Sequence, residues 1–177
     1  SKQTIETKTN NINNTNPIET KIASTDDDYI VTYDKTGYPL TWAILDAAAI
    51  IENETLNTFK NGLPEIKKSQ DNLKENLPST YLLLAKTTDP NTKYQLQTLV
   101  DYTEAEIVSG EKLVSLLTDL ISNYNGLIDS IEKRKSQIYL YYSDQVDKLE
   151  IQRKSVIDDY TNKQNARHNY AISILGQ

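Results

Sequence analysis

The chain has 177 residues, enough for one ordinary domain or one elongated helical module. Its 19 Lys and Arg against 25 Asp and Glu give a net charge of -6, which argues against a surface that neutralises phosphates, so no nucleic-acid partner is expected. Cysteine is absent, which excludes disulfides, thiolate metal sites and thiol nucleophiles.

Residues 1–28 read as a flexible or arm-like segment. Asn10, Asn11, Asn13, Asn14 and Asn16 lie among Thr, Lys and Glu, and such a segment buries too little to offset its ordering entropy. Ile5, Ile12, Ile18 and Ile22 are more than a linker needs, so an arm ordering against a neighbouring subunit stands beside a mobile tail. Asp26, Asp27 and Asp28 could attract a hard cation, but they lack the alternating oxygen ligands of a calcium loop, and no metal site is expected. No apolar run approaches the roughly 18 residues that span a bilayer, so no transmembrane segment is predicted and the chain as given is expected to be soluble.

Residues 29–41 predict a β-hairpin. Tyr29, Ile30, Val31, Thr32 and Tyr33 are β-branched or aromatic, Asp34 to Gly37 supply a turn, and Tyr38 to Trp42 return. Pro39 cannot donate to a ladder, so its strand is short or at an edge. An isolated hairpin is marginal in water. Tyr29, Ile30, Val31 and Tyr33 are therefore candidate interface residues, able to accept a strand from another chain.

Residues 42–177 predict a helical domain. Ile44, Ala47, Ala48, Ile51 and Leu56 or Phe59 form the stripe of a first helix over 42–60. Asn61 and Gly62 are expected to stop it, and Pro64 to open a second helix that ends or kinks at Pro78. Asp89 and Pro90 then form an N-cap and first helical residue. Beyond them a 3-4 alternation runs Gly110, Val114, Leu117, Ile121, Tyr124, Ile128, Ile131, Lys135, Ile138, Tyr142, Gln145, Leu149, Gln152, Val156, the heptad signature of helices packing along a seam. Asn125 and Gly126 have poor helix propensity, so a break is expected there, with an unbroken helix as the alternative because the heptad phase does not slip. Leu127 to Leu175 reads as one long helix. Within it Ile138, Tyr139, Leu140, Tyr141 and Tyr142 are apolar nearly all round, which marks an interface or a bundle centre.

His168 has no second His and no Cys to form a ligand set. No nucleophile elbow, P-loop, metalloprotease or dinucleotide motif occurs. No catalytic residue, metal or cofactor is expected. The predicted fold is all-α, long antiparallel helices forming a bundle or coiled coil, with a small N-terminal β-hairpin and a flexible N-terminal arm. The expected function is that of a non-catalytic structural protein, a helical subunit of a virion, appendage or extracellular surface assembly that packs against copies of itself or other structural subunits. The alternative is a helical binding or membrane-active module such as an adhesin stalk or a pore-forming component.

Overall fold

A computed structural model describes residues 28–176. The expected N-terminal arm, with Asp26 and Asp27, lies outside the described residues. The fold is all-α: 86% of the described residues are helical, and three long helices pack together beside a small antiparallel hairpin.

The hairpin pairs β1 (Ile30–Tyr33) with β2 (Pro39–Thr41), matching Ile30 to Thr41, Thr32 to Leu40 and Tyr33 to Pro39, with an irregularity between Ile30 and Thr32. Its turn is built by Asp34. One carboxylate oxygen accepts from the Thr36 amide at 2.8 Å, the Thr36 hydroxyl at 2.6 Å and the Tyr38 amide at 2.9 Å. These donors, the Thr36 hydroxyl first, hold the Asp34 carboxyl below its ordinary value. Gly37 takes a φ of 84°, which a side chain would resist. Thr41, the last residue of β2, also caps the first helix, its hydroxyl accepting from the Ile44 amide at 3.3 Å.

The first helix, α1 (Trp42–Lys86), runs 45 residues through both Pro64 and Pro78. The stops expected at Gly62 and Pro78 therefore do not end it. Each proline removes an amide and releases the carbonyl four residues earlier. Pro64, Pro78, Lys60 and Lys74 all occupy exposed positions, so water can complete both carbonyls. Asp89 and Pro90 act as expected: the Asp89 carboxylate accepts from the Thr92 amide at 2.9 Å and opens α2 (Pro90–Glu132).

Helix α2 passes through Asn125 and Gly126, so the break expected there is absent. An ideal Cβ on Gly126 would lie 2.3 Å from the Tyr142 ring. The residue is a packing notch, and the space it opens for an aromatic ring outweighs its poor propensity. The chain instead reverses at Lys133 to Lys135, inside the stretch expected to be one helix, and α3 (Ser136–Leu175) follows. The reversal resets which face of the chain is inward. Tyr139, Val146 and Tyr160 are the buried residues of α3; Tyr139 and Val146 lie one position beyond the expected Ile138 and Gln145, and Tyr160 keeps their heptad spacing two repeats on.

The chain divides into two units. Among the described residues, unit 1 comprises residues 28–58 with Ile121–Asp147, and unit 2 comprises Phe59–Leu120 with residues 148–176. Segments of all three helices contribute to each. Unit 1 buries Trp42, Leu45, Leu56, Tyr124, Leu127, Ile131, Tyr139 and Val146, together with the polar Ser130. Unit 2 buries Phe59, Val100, four leucines of α2 (Leu113, Leu116, Leu117 and Leu120) and Tyr160, but also Gln70, Thr103, Glu106 and Ser109.

Candidate functional site

All nine candidate interface residues fall in unit 1. On the hairpin, Tyr29 and Val31 are half-buried while Ile30 and Tyr33 are exposed. On α3 the apolar cluster splits by direction. Tyr139 is buried, and its ring meets Trp42 edge-on at 6.5 Å between centroids. Tyr142 is half-buried in the Gly126 notch. Ile138, Leu140 and Tyr141 point outward, with 43%, 37% and 59% of their surface exposed. Two residues of the cluster thus hold the unit together, and three remain for contacts outside it. Burial pushes the Tyr139 hydroxyl above its ordinary pKa, so the ring stays neutral.

Around Trp42 the unit assembles a polar latch. Arg134 forms a bidentate pair with Asp46, Nη1 to Oδ1 at 2.6 Å and Nη2 to Oδ2 at 2.7 Å, and its guanidinium lies 5.5 Å from the Trp42 ring centroid. Asp46 carries the mark of this pairing, its carboxyl held below the ordinary value first by the hydrogen bonds from Arg134. Arg134 also terminates α2. The Arg134 amide donates to the Ile131 carbonyl at 3.1 Å and the Lys135 amide to the Ser130 carbonyl at 2.9 Å, the paired bonds of a Schellman cap. That cap needs a left-handed residue, usually Gly, and Arg134 fills it at φ 53°. The backbone costs about 1–2 kcal/mol. A half-exposed bidentate pair returns at most about 1 kcal/mol, and the cation–π contact about 0.5–1 kcal/mol. The Schellman bonds and a bond from Arg134 Nη1 to the Ile131 carbonyl at 3.1 Å close the turn locally, and the contacts to Asp46 and Trp42 add long-range support for a conformation the residue type does not favour.

Unit 2 contains a second polar constellation. Glu106 has no exposed surface and pairs with Arg167 through one carboxylate oxygen, while the other, Oε2, has no hydrogen-bond partner. Gln70 inserts its amide where a Cβ on Gly110 would be, 2.1 Å from that position at its closest, and donates to the Ile107 carbonyl at 2.8 Å. Ser109 donates to Asp159 at 2.6 Å, and Lys163 pairs with the same carboxylate at 2.6 Å. Lys163 first, then Ser109, holds the Asp159 carboxyl down, so it is a weak proton acceptor. An open groove of about 330 Å³ lies over this pair, lined by Val108, Ser109, Lys112, Asp159 and Lys163 among others. Its chemistry is that of a solvated ion pair against a serine, with no imidazole beside the hydroxyl to take its proton.

Sequence reasoning missed Glu106, although a signal existed. Val100, Thr103, Glu106, Ser109 and Leu113 stand at steps of three and four, so a continuous inward face carried three polar residues. The Arg134 latch left no comparable trace, because its partner Asp46 is 88 residues away. Among the described residues no group of His, Cys, Asp and Glu could hold a metal ion, and no helix is long and apolar enough to cross a membrane. Comparison with protein-family models, with curated proteins and with solved structures finds no match for this chain.

Proposed function

We propose that the chain is a non-catalytic assembly module, a helical structural subunit that works by packing against copies of itself or against other structural proteins. The supporting observation is the outward turn of Ile138, Leu140 and Tyr141 beside a core that needs only Tyr139 and Tyr142 from the same stretch. Five consecutive apolar residues in a solvated helix leave more apolar surface than the unit itself uses. Tyr33 and Tyr38, each 58% exposed, add amphipathic rings in the same unit, and Tyr suits contacts that are partly wet. A virion, an appendage or a surface layer would supply such contacts.

Light scattering with native mass spectrometry tests this reading. The wild-type chain is expected to associate with rising concentration, and Leu140→Glu with Tyr141→Glu to weaken that association without loss of helix content. Each new carboxylate would have to be desolvated at the contact without a counter-charge. Tyr139 and Tyr142 are unsuitable for this purpose, since they hold unit 1 together. A monomer at all concentrations, together with leakage from liposomes, would instead favour a membrane-active module.

A further inference from the structure

The least locally supported segment of the described chain is the turn between α2 and α3. Its residues, Lys133, Arg134 and Lys135, are good helix formers, flanked by Glu132 and Ser136, and it contains neither Gly nor Pro. No proline follows Pro90 anywhere in the chain. The reversal therefore depends on a single left-handed arginine, φ 53°, pinned by Asp46 and Trp42 of α1. Without those contacts, the local preference of the stretch is to continue as helix.

The apolar spacing carries the same ambiguity. Leu117, Tyr124, Ile131 and Ile138 stand seven residues apart across the turn, and Ile121, Ile128, Lys135, Tyr142 and Leu149 form the companion row. A helix continuous through residues 133–135 would keep both rows in register. In the reversed chain Ile138 is instead left outside the core, and Tyr139 and Val146 take the inward places. One sequence thus supports two registers, one with α2 and α3 folded back and one with them joined.

We propose that Lys133 to Lys135 is a hinge at which α2 and α3 join into one continuous helix, and that a second copy of this chain captures the open form by exchanging α3. The partner follows from the contacts themselves. Opening uncovers the Gly126 notch and the edge of Trp42, and the rings that fit them are Tyr142 and Tyr139. Another copy offers the same two rings at the same spacing. A short hinge under backbone strain is the feature that invites such exchange. The inference does not rest on the outward patch at Leu140 and Tyr141, which lie outside both heptad rows.

The experiment uses spin labels at Ser122→Cys and Asp147→Cys, two exposed positions placed evenly about the turn in a chain with no other cysteine. Labelled chain is diluted with unlabelled chain so that only separations within one chain are read. Folded back, the labels sit on neighbouring helices, whose axes are roughly 10 Å apart. Joined, they are about 38 Å apart at 1.5 Å per residue. Two backgrounds that both lack the latch isolate the hinge: Asp46→Ala with Arg134→Ala, and Asp46→Ala with Arg134→Gly. The alanine form is expected to yield dimers with the long separation, and the glycine form to stay monomeric with the short one. Equal behaviour of the two, or dimers that keep the short separation, would overturn the hinge; the latter result would leave surface packing standing. If either variant fails to fold, the wild-type chain is warmed to its unfolding midpoint at high concentration and cooled. Dimers with the long separation support the proposal, and dimers with the short one, or no dimers, overturn it.

Discussion

Unit 1 fills its interior with a tryptophan, two tyrosines and aliphatic side chains around a single buried polar residue, Ser130, among the described residues, and places the Arg134–Asp46 ion pair at the rim. Unit 2 surrounds its leucines with Gln70, Thr103, Ser109 and a carboxylate, Glu106, that has no exposed surface. An aromatic interior gains from area and ring geometry and tolerates no loss of volume. A polar interior gains little net stability from its pairs, but it penalises any arrangement that separates them. The comparison therefore concerns two kinds of vulnerability, one to cavities and one to orphaned charge.

The largest effects should come from attacking each unit at its own weak point. Trp42→Ala removes the residue that Tyr139 and Arg134 both pack against, and is expected to cost about 3–5 kcal/mol. In unit 2, Arg167→Ala strands the buried Glu106 carboxylate and should cost about 3 kcal/mol, the low end for a broken buried pair because Arg167 is partly exposed. Urea unfolding measures both. The contrast sharpens with Glu106→Leu and Arg167→Leu made together. That double change should recover most of the loss, since an apolar replacement of a buried pair is often neutral or better. No double change is expected to rescue Trp42→Ala in the same way. Amide hydrogen exchange should place the lost protection around Leu127 and Ile131 in the first case and around Leu113 and Leu117 in the second.

The glycines of the helices give a graded test. Gly126→Ala would drive a Cβ into the Tyr142 ring and should cost about 1–3 kcal/mol. Gly110→Ala displaces only the amide end of Gln70; the loss of its bond to Ile107, about 1 kcal/mol, roughly cancels the helix gain of an Ala, so the change should be near neutral. Gly62→Ala has nothing within 4 Å and should raise stability by about 0.5–1 kcal/mol. Thermal melts of the three variants should fall in that order. Equal shifts would mean that the notches do not constrain packing.

Dependence on pH should be smaller, and each unit contributes a group at either end of the scale. The carboxyls of Asp46 and Asp159 are lowered in the folded chain, first by Arg134 and first by Lys163 respectively. A lowered group contributes stability that is present above its unfolded value and lost as pH falls through the folded one, so melting temperatures should drop below about pH 4. Asp46→Asn should flatten part of that acid slope. Burial raises the hydroxyls of Tyr139 and Tyr160. In the unfolded chain they ionise near pH 10, so stability should be lost as pH rises beyond about 10. Tyr139→Phe should blunt that alkaline loss.

Much of the fold was legible from the residues alone, because the deciding interactions were local. Asp34 and Gly37 sit within one turn, Thr41 and Asp89 reach amides three residues away, and the 3-4 spacing of apolar groups implies helices whatever they pack against. The candidate site was legible in part. The stretch Ile138 to Tyr142 stood out as apolar in every direction, but nothing in it distinguished Tyr139, which faces Trp42, from Tyr141, which faces solvent. That distinction depends on the helix phase after the turn, and the turn has no sequence signal of its own.

Composition and spacing therefore determined that this chain is all-α, with a short hairpin leading straight into its first helix. The break at Asp89 and Pro90 was written locally, but tertiary structure decided which of the other breaks form. Pro64, Pro78, Asn125 and Gly126 all argue for breaks on local propensity, yet each lies within a helix, because exposed carbonyls can be hydrated and a missing Cβ can admit a ring. Lys133 to Lys135 argue for a helix and form the reversal, because Asp46 and Trp42 hold Arg134 in a conformation that its neighbours in sequence do not favour. Local preferences of about 1 kcal/mol per residue are real, but contacts between residues 88 positions apart are of the same size, and here they prevail.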